Sequence, residues 1–291
     1  MVSPTGPVFS RRALLLGAAG AVILTSCGGD DDTSADSITT TETARSASLI
    51  QFFGNDHIVA GREQRLPFGL GDTEGVITRE APATLAFQLL DDTGGEVGGP
   101  ITVGSRQAGL PRPYFAVPVT LPAPGIYTAT TSWNGQSVEA SFEVVAETSL
   151  PQVGEPLPRF DTPTTADTRG VNPICTAEPQ CPLHDVTLSA ALASGAPVAL
   201  LISTPKFCQV KICGPVLDVL LSQRDAFPGI RMLHAEVYTD ETTSTTTDAV
   251  QSLGLTFEPC LFLAGSDGTV AARLDNIYDQ TELVAALTAL S

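Results

Sequence analysis

The arrangement of apolar and polar positions changes character several times along the chain. Residues 13–24 form a short apolar run. Residues 27–48 are rich in Gly, Asp, Ser and Thr, show no apolar periodicity, and read as a solvated tether. Over residues 49–147 short runs alternate apolar with polar between turn residues, the pattern of half-buried antiparallel strands. The clearest hairpin places Asn134-Gly135 between alternating strands, because both positions of that turn need φ > 0. Pro111, Pro113, Pro118, Pro122 and Pro124 confine their segments to edges and turns. Trp133, Tyr114 and Tyr127 are expected in the core of this all-β module. Residues 148–172 are proline-rich and read as a semi-rigid linker.

From residue 173 onward the period changes to helices alternating with strands. Residues 184–194 are amphipathic, and Gly195 supplies a stop. Residues 198–202 are continuously apolar, as a strand buried on both faces requires. A helix is expected within 208–224, a strand over 232–238 and a short helix over 248–253 ended by Gly254. Residues 261–264 and 269–274 form a hairpin around Ser266-Asp267-Gly268, and Asp279 opens the last helix with Glu282 at the capping-box position. The expected order is α, β, α, β, α, β, β, α. The Thr-rich stretch 239–247 reads as a solvated loop.

The formal net charge of −17 disfavours nucleic acid and anionic lipid surfaces as partners. Against that background both lysines of the chain, Lys206 and Lys211, flank Cys208 and Cys213, where positive charge would favour a thiolate.

The N-terminus carries export chemistry. Ser10-Arg11-Arg12 precedes the apolar run, which is shorter than the roughly 20 residues needed to span a bilayer, so it reads as a secretory signal. The paired Arg11 and Arg12 suggest the twin-arginine route. Leu24-Thr25-Ser26-Cys27 resembles the bacterial lipobox, in which cleavage leaves the cysteine first and lipidated. That resemblance implies a signal peptide over 1–26 and a lipid on Cys27. It implies attachment to the outer face of a bacterial cytoplasmic membrane, with the membrane as partner through that anchor.

The all-β module lacks cysteine and resembles the small immunoglobulin-like sandwiches of envelope proteins, with a spacer or docking role. Residues 173–291 resemble the thioredoxin fold. Cysteines follow the first buried strand at a helix start, Cys213-Gly214-Pro215 copies the opening of Cys-Gly-Pro-Cys, Glu258-Pro259 stands before an apolar strand where that family has its cis-proline, and a final hairpin and helix follow. The expected fold class is therefore a multi-domain chain, an N-terminal all-β immunoglobulin-like sandwich joined to a C-terminal α/β thioredoxin-like fold. The chain departs from the family in spacing, since Cys208 and Cys213 form C-x₄-C and Val216 replaces the second cysteine.

The resemblance implies catalysis by Cys208 and Cys213 opposite Pro259, with the Glu258 backbone offered to an extended substrate. Two registers stand open. Either Cys208 is the nucleophile and Cys213 resolves, or Cys213 caps the helix with Pro215 in its first turn. In both, helix N-terminal N–H groups lower a thiol pKa. Five cysteines besides Cys27 leave an odd thiol. The economical arrangement is a structural Cys175–Cys181 disulfide, a Cys208–Cys213 pair and an unpaired Cys260; the alternative is a relay between the two pairs. Three functions follow. The first is a thiol–disulfide oxidoreductase without cofactor, acting on protein thiols and disulfides. The second is a Sco-like copper chaperone using Cys208, Cys213 and His184, with His234 a further candidate. The third is a non-catalytic binding lipoprotein.

Overall fold

The computed structural model describes residues 47–54, 57–72, 74–75 and 78–290. Arg11, Arg12, Cys27 and nearly all of the 27–48 tether lie outside them. The described residues fall within one compact unit. It is rich in β-structure, with three sheets and a few short helices. Among the described residues no helix is long and apolar enough to cross a membrane.

The N-terminal part holds seven strands: β1 (Ala47–Gln51), β2 (Glu63–Asp72), β3 (Thr84–Leu90), β4 (Ile101–Gly104), β5 (Phe115–Thr120), β6 (Gly125–Trp133) and β7 (Gln136–Val144). They form two antiparallel sheets, ordered β1-β2-β5 and β4-β3-β6-β7. Leu85, Phe87 and Leu89 of β3 pack in one core with Phe115, Val117 and Val119 of β5. The β6–β7 turn is the expected one, with Asn134 at φ 51° and Gly135 at φ 73°.

Strand periodicity lets β5 and its approach serve two cores, because successive side chains point to opposite faces. Phe115 and Val117 enter the sandwich, whereas Tyr114 and Ala116 join a second core made mostly by the C-terminal part. Leu49 and Ile50 of β1 divide in the same way.

The C-terminal part contains α1 (Leu188–Ala193), β8 (Val198–Ile202), α2 (Cys213–Ser222), β9 (Arg231–Ala235), α3 (Asp248–Leu253), β10 (Cys260–Ala264), β11 (Val270–Asp275) and α4 (Gln280–Leu290). Its sheet is ordered β11-β10-β8-β9, with β8 and β9 parallel and the other pairs antiparallel. β8 and β10 are apolar at every position because both faces are covered. Ala199, Leu201, Leu261 and Leu263 pack with α2 and α4, while Leu200, Ile202 and Phe262 pack with α1 and α3.

Several boundaries differ from the sequence expectation. The 184–194 pattern becomes helical only at Leu188, capped by the Thr187 hydroxyl, which accepts from the Ala190 N–H. The carbonyls of Leu183 and His184 are taken by the N–H groups of His234 and Thr165, so they cannot enter a helical ladder. Beyond β9 the chain folds into a tight turn rather than a loose loop. Tyr238 bridges Thr246, and Asp240 accepts from the backbone and hydroxyl of Thr242. Residues 148–172 are pinned along their length. Pro156 bridges Thr269, Asn172 bridges Asp240, and Leu150, Leu157 and Val171 are buried.

Candidate functional site

Two cysteine pairs lie in the same C-terminal core. The five described cysteines are all buried and all free thiols.

The first pair sits where β8 runs into α2. Ser203 and Thr204 continue from the strand, a turn spans 205–211, and Cys213 opens the helix. The Cys208 N–H donates to the Thr204 carbonyl, and Lys211 adopts φ 56° to bring its own N–H back to the Cys208 carbonyl. That turn supplies the length the C-x₄-C spacing adds. Cys213 is wholly buried, while Cys208 keeps 7 % of its surface. The Cys208 thiol is lowered to about 6, chiefly by the hydrogen bond from the Cys213 thiol. Burial opposes that shift, and the N–H groups of Cys213, Ile212 and Val210 reinforce it. Burial pushes the Cys213 thiol far up, and the hydrogen bond to Cys208 adds to that. The two thiols are thus unlike, one poised as thiolate and the other holding its proton. Neither expected register holds as drawn: Cys208 is buried rather than exposed, and Cys213 is the first residue of α2 with Ile212 as its N-cap, although Pro215 does lie in the first turn.

The lysines play a smaller part than their positions suggest. Lys206 Nζ is engaged by Glu241 at 2.6 Å in an exposed pair, and Lys211 contributes its backbone to the turn. The Cys208 thiol is lowered mainly by the Cys213 S–H and backbone N–H groups.

A groove of about 310 Å³ is lined in part by Phe52, Phe53, Val210, Ile212, Phe257 and Glu258, with Gln209, the residue after Cys208, also on its wall. Phe52 and Phe53 come from the N-terminal part, so both parts of the chain build its walls. Val210 stands 58 % exposed at this rim. The Glu258–Pro259 peptide is cis and leads directly into β10. Burial, then the Cys208 charge, raises the Glu258 carboxyl.

Cys260, the residue after Pro259, lies on a different face. Its thiol donates to Asp275 Oδ1 at 3.1 Å. Asp275 is also clasped by Arg273 Nε, 3.0 and 2.9 Å from its two oxygens, and faces His57 of the N-terminal part. Cys260 therefore serves a buried polar network rather than the Cys208 groove.

The second pair is Cys175 and Cys181, on the stretch before α1. The Cys181 N–H donates to the Cys175 sulfur at 3.4 Å. His184 Nε2 lies 3.2 Å and His234 Nδ1 3.5 Å from the Cys181 sulfur. The four ligand atoms of Cys175, Cys181, His184 and His234 all fall within 4.8 Å of one another, and this buried Cys₂His₂ cluster could hold a metal ion. The Cys175 thiol is lowered, first by the hydrogen bond from Cys181, with both imidazoles adding to it, while Cys181 is correspondingly raised.

His184, expected beside Cys208 and Cys213, is thus grouped with the other cysteine pair. The spacing C-x₅-C-x₂-H over 175–184 is a local signal that could have flagged three of the four residues. His234 arrives from β9, 53 residues beyond Cys181, and only the fold brings it in.

No protein-family model matches this chain, and no curated protein matches it. The candidate site therefore rests on its own geometry.

Proposed function

We propose that the protein is a thiol–disulfide oxidoreductase whose reactive pair is Cys208 and Cys213. One observation carries the reading: a nearly buried thiol lowered to about 6 beside a second thiol that keeps its proton, in a turn whose Gln209, Val210 and Ile212 line a groove. The Cys208 thiolate attacks one sulfur of a substrate disulfide, a mixed disulfide forms, and the other substrate sulfur leaves as thiolate. Cys213 then gives up its proton and attacks the Cys208 sulfur. The mixed disulfide breaks, the pair is oxidised, and the substrate leaves as a dithiol carrying two electrons. The reverse sequence oxidises a substrate. The Phe52, Phe53, Val210 and Phe257 side chains offer an apolar wall to an extended polypeptide, and the Glu258 backbone offers it an edge.

The C-terminal part is read as thioredoxin-like. A parallel β8–β9 pair around α2, then an antiparallel hairpin and a terminal helix, follow the order that resemblance implies. The N-terminal sandwich is read as immunoglobulin-like, and its contribution to the groove gives it a role beyond that of a spacer. Lipidation at Cys27, after export directed by Arg11 and Arg12, would hold the protein on the outer face of a bacterial cytoplasmic membrane. A Cys27→Ser precursor processed as the unmodified chain is would defeat that placement.

The decisive experiment uses the full chain. A Cys213→Ala variant should accumulate mixed disulfides through Cys208, and the Cys208–Cys213 couple should titrate above about −270 mV, in the range of exchange catalysts. A couple that stays oxidised below about −300 mV behaves as a structural disulfide and would overturn the proposal in favour of a binding module.

The Sco-like copper alternative requires His184 beside Cys208 and Cys213. With His184 Nε2 3.2 Å from Cys181, the soft thiolate and imidazole ligands that suit Cu(I) meet at the second cysteine pair instead.

A further inference from the structure

We infer that Cys175, Cys181, His184 and His234 form a closed tetrahedral site for a thiophilic d¹⁰ cation, Zn(II) or Cu(I), separate from the Cys208–Cys213 pair. This inference is independent of the oxidoreductase reading, since it uses none of the same side chains.

Two separations between ligand atoms match those of a coordination shell, and all four atoms fall within 4.8 Å of one another. Metal–sulfur bonds of about 2.3 Å and metal–nitrogen bonds of about 2.0 Å at tetrahedral angles put sulfur and nitrogen about 3.5 Å apart. The observed separations from the Cys181 sulfur are 3.2 Å to His184 Nε2 and 3.5 Å to His234 Nδ1.

Outer contacts orient the ligands. His234 Nε2 lies 2.9 Å from Ser203 Oγ and 3.1 Å from the Ser203 carbonyl. A proton on Nε2 donated to that carbonyl leaves the Nδ1 lone pair facing the sulfurs, which is how ligating imidazoles are usually fixed. The His234 N–H donates to the Leu183 carbonyl, one residue before His184, so the two histidines are also joined through backbone. Glu236, 2 % exposed, accepts from the N–H and hydroxyl of Thr176 and brings further negative charge beside the sulfurs.

A plain Cys175–Cys181 disulfide accounts for these surroundings less well. It would leave two buried imidazole nitrogens aimed at sulfurs with little capacity to pair them, and buried polar atoms are rarely left so. His184 Nδ1, buried, already has no hydrogen-bond partner. A cation would use both ring nitrogens that face the sulfurs. All four residues are buried, at 4, 4, 1 and 1 % exposure, so the shell is complete and offers no open position to a substrate. Such an ion would fasten the irregular stretch before α1 to β9.

The test loads the reduced full chain with Zn(II), and in a separate anaerobic arm with Cu(I), against a competing chelator. One equivalent should be retained, and X-ray absorption should show two sulfur and two nitrogen neighbours. Alkylation with mass mapping should then find Cys175 and Cys181 protected and Cys208 still reactive. Cys175→Ser and His234→Ala should weaken retention by more than the roughly 10–100-fold that loss of an outer-shell partner costs, while Cys208→Ser leaves it unchanged. Retention of either ion with that shell supports the site and names its ion. Failure to retain either ion, a shell without nitrogen, or loss of the ion on Cys208→Ser overturns it. The absorption and protection measurements on the unmodified chain decide the matter even where a ligand variant fails to fold.

Discussion

The Tyr114 hydroxyl stands inside the capping box of α4, donating to Glu282 from 168 residues away. Asp279 accepts from the Glu282 N–H as the box requires. The return bond, from the Asp279 N–H to the Glu282 carboxylate, is replaced by two: Asp279 N–H donates to Tyr114 Oη at 2.9 Å, and Tyr114 donates to Glu282. Arg65 of β2 clasps the same carboxylate at 2.7 Å. Tyr114→Phe should therefore destabilise the protein by about 1.5–3 kcal/mol, as expected for hydrogen bonds to a charged group. Urea denaturation should show a lower midpoint with an unchanged slope.

The same junction predicts cooperative unfolding. Trp133, the only tryptophan, reports on the N-terminal sandwich, while helical circular dichroism reports on the C-terminal part. With Phe52, Leu110 and Tyr114 in the C-terminal core, the two signals should be lost in one coincident transition. Two separated transitions would show the parts to be independent.

Cys208 should titrate with a midpoint near pH 6, read as the rate of iodoacetamide alkylation against pH with mass mapping. Cys213→Ala should raise that midpoint, because the Cys213 thiol is the largest cause of the shift. Lys206→Ala should leave it nearly unchanged, its ammonium being paired with Glu241. The folded value lies below the ordinary thiol value of 9.0. Its contribution to the stability of the reduced protein is therefore complete above about pH 9, falls as pH drops, and is gone below about pH 6.

Asp275 should carry a share of the acid stability. Burial pushes its carboxyl up, but Arg273, then His57, the Cys260 thiol and Arg65 outweigh it and hold it below the usual value. The stabilisation is present above about pH 4 and is lost as pH falls through the depressed value. Asp275→Asn, which strands Arg273, should cost about 3–5 kcal/mol at neutral pH. The gap between variant and parent in denaturant midpoint should narrow below pH 4.

Gly254→Ala should destabilise by more than the ~1 kcal/mol of a routine helix-end change. Gly254 ends α3 at φ 65°, and a Cβ there would meet Ser149 Oγ at 2.6 Å. A thermal midpoint equal to the parent's would show that Ser149 yields without cost.

Much of this was legible from local pattern. Alternation located the strands, Asn134-Gly135 the hairpin, and Gly254 the end of α3, because each depends on neighbouring residues alone. Cys208 and Cys213 were legible for the same reason, as residues of one strand-to-helix junction. What the sequence hid depends on distant partners. The amphipathic pattern from His184 overran the true start of α1, since the His184 carbonyl is claimed by Thr165 and that of Leu183, just before it, by His234. Glu282 read as a capping residue, and nothing nearby announces Arg65 or Tyr114. The grouping of His184 with Cys175 and Cys181 rather than Cys208 was within reach of their local spacing, whereas His234, the fourth member, is positioned by β9 alone.

The pinned course of residues 148–172 has a consequence for the protein in company. Gly154 and Leu157 donate to the carbonyls of Val270 and Gly268, and Glu155 accepts from Val270, along the outer side of β11. Asn172 donates to Thr239 just beyond β9, at the opposite margin of the same sheet. Exposed sheet edges invite pairing with another chain, and proline and charge on an edge discourage it. By laying its own connector, with Pro156 and Glu155, against the start of β11, the chain occupies backbone groups to which a second copy could add a strand. Because Leu150, Leu157 and Val171 of the connector are also buried, the segment that covers this edge is held by the core itself.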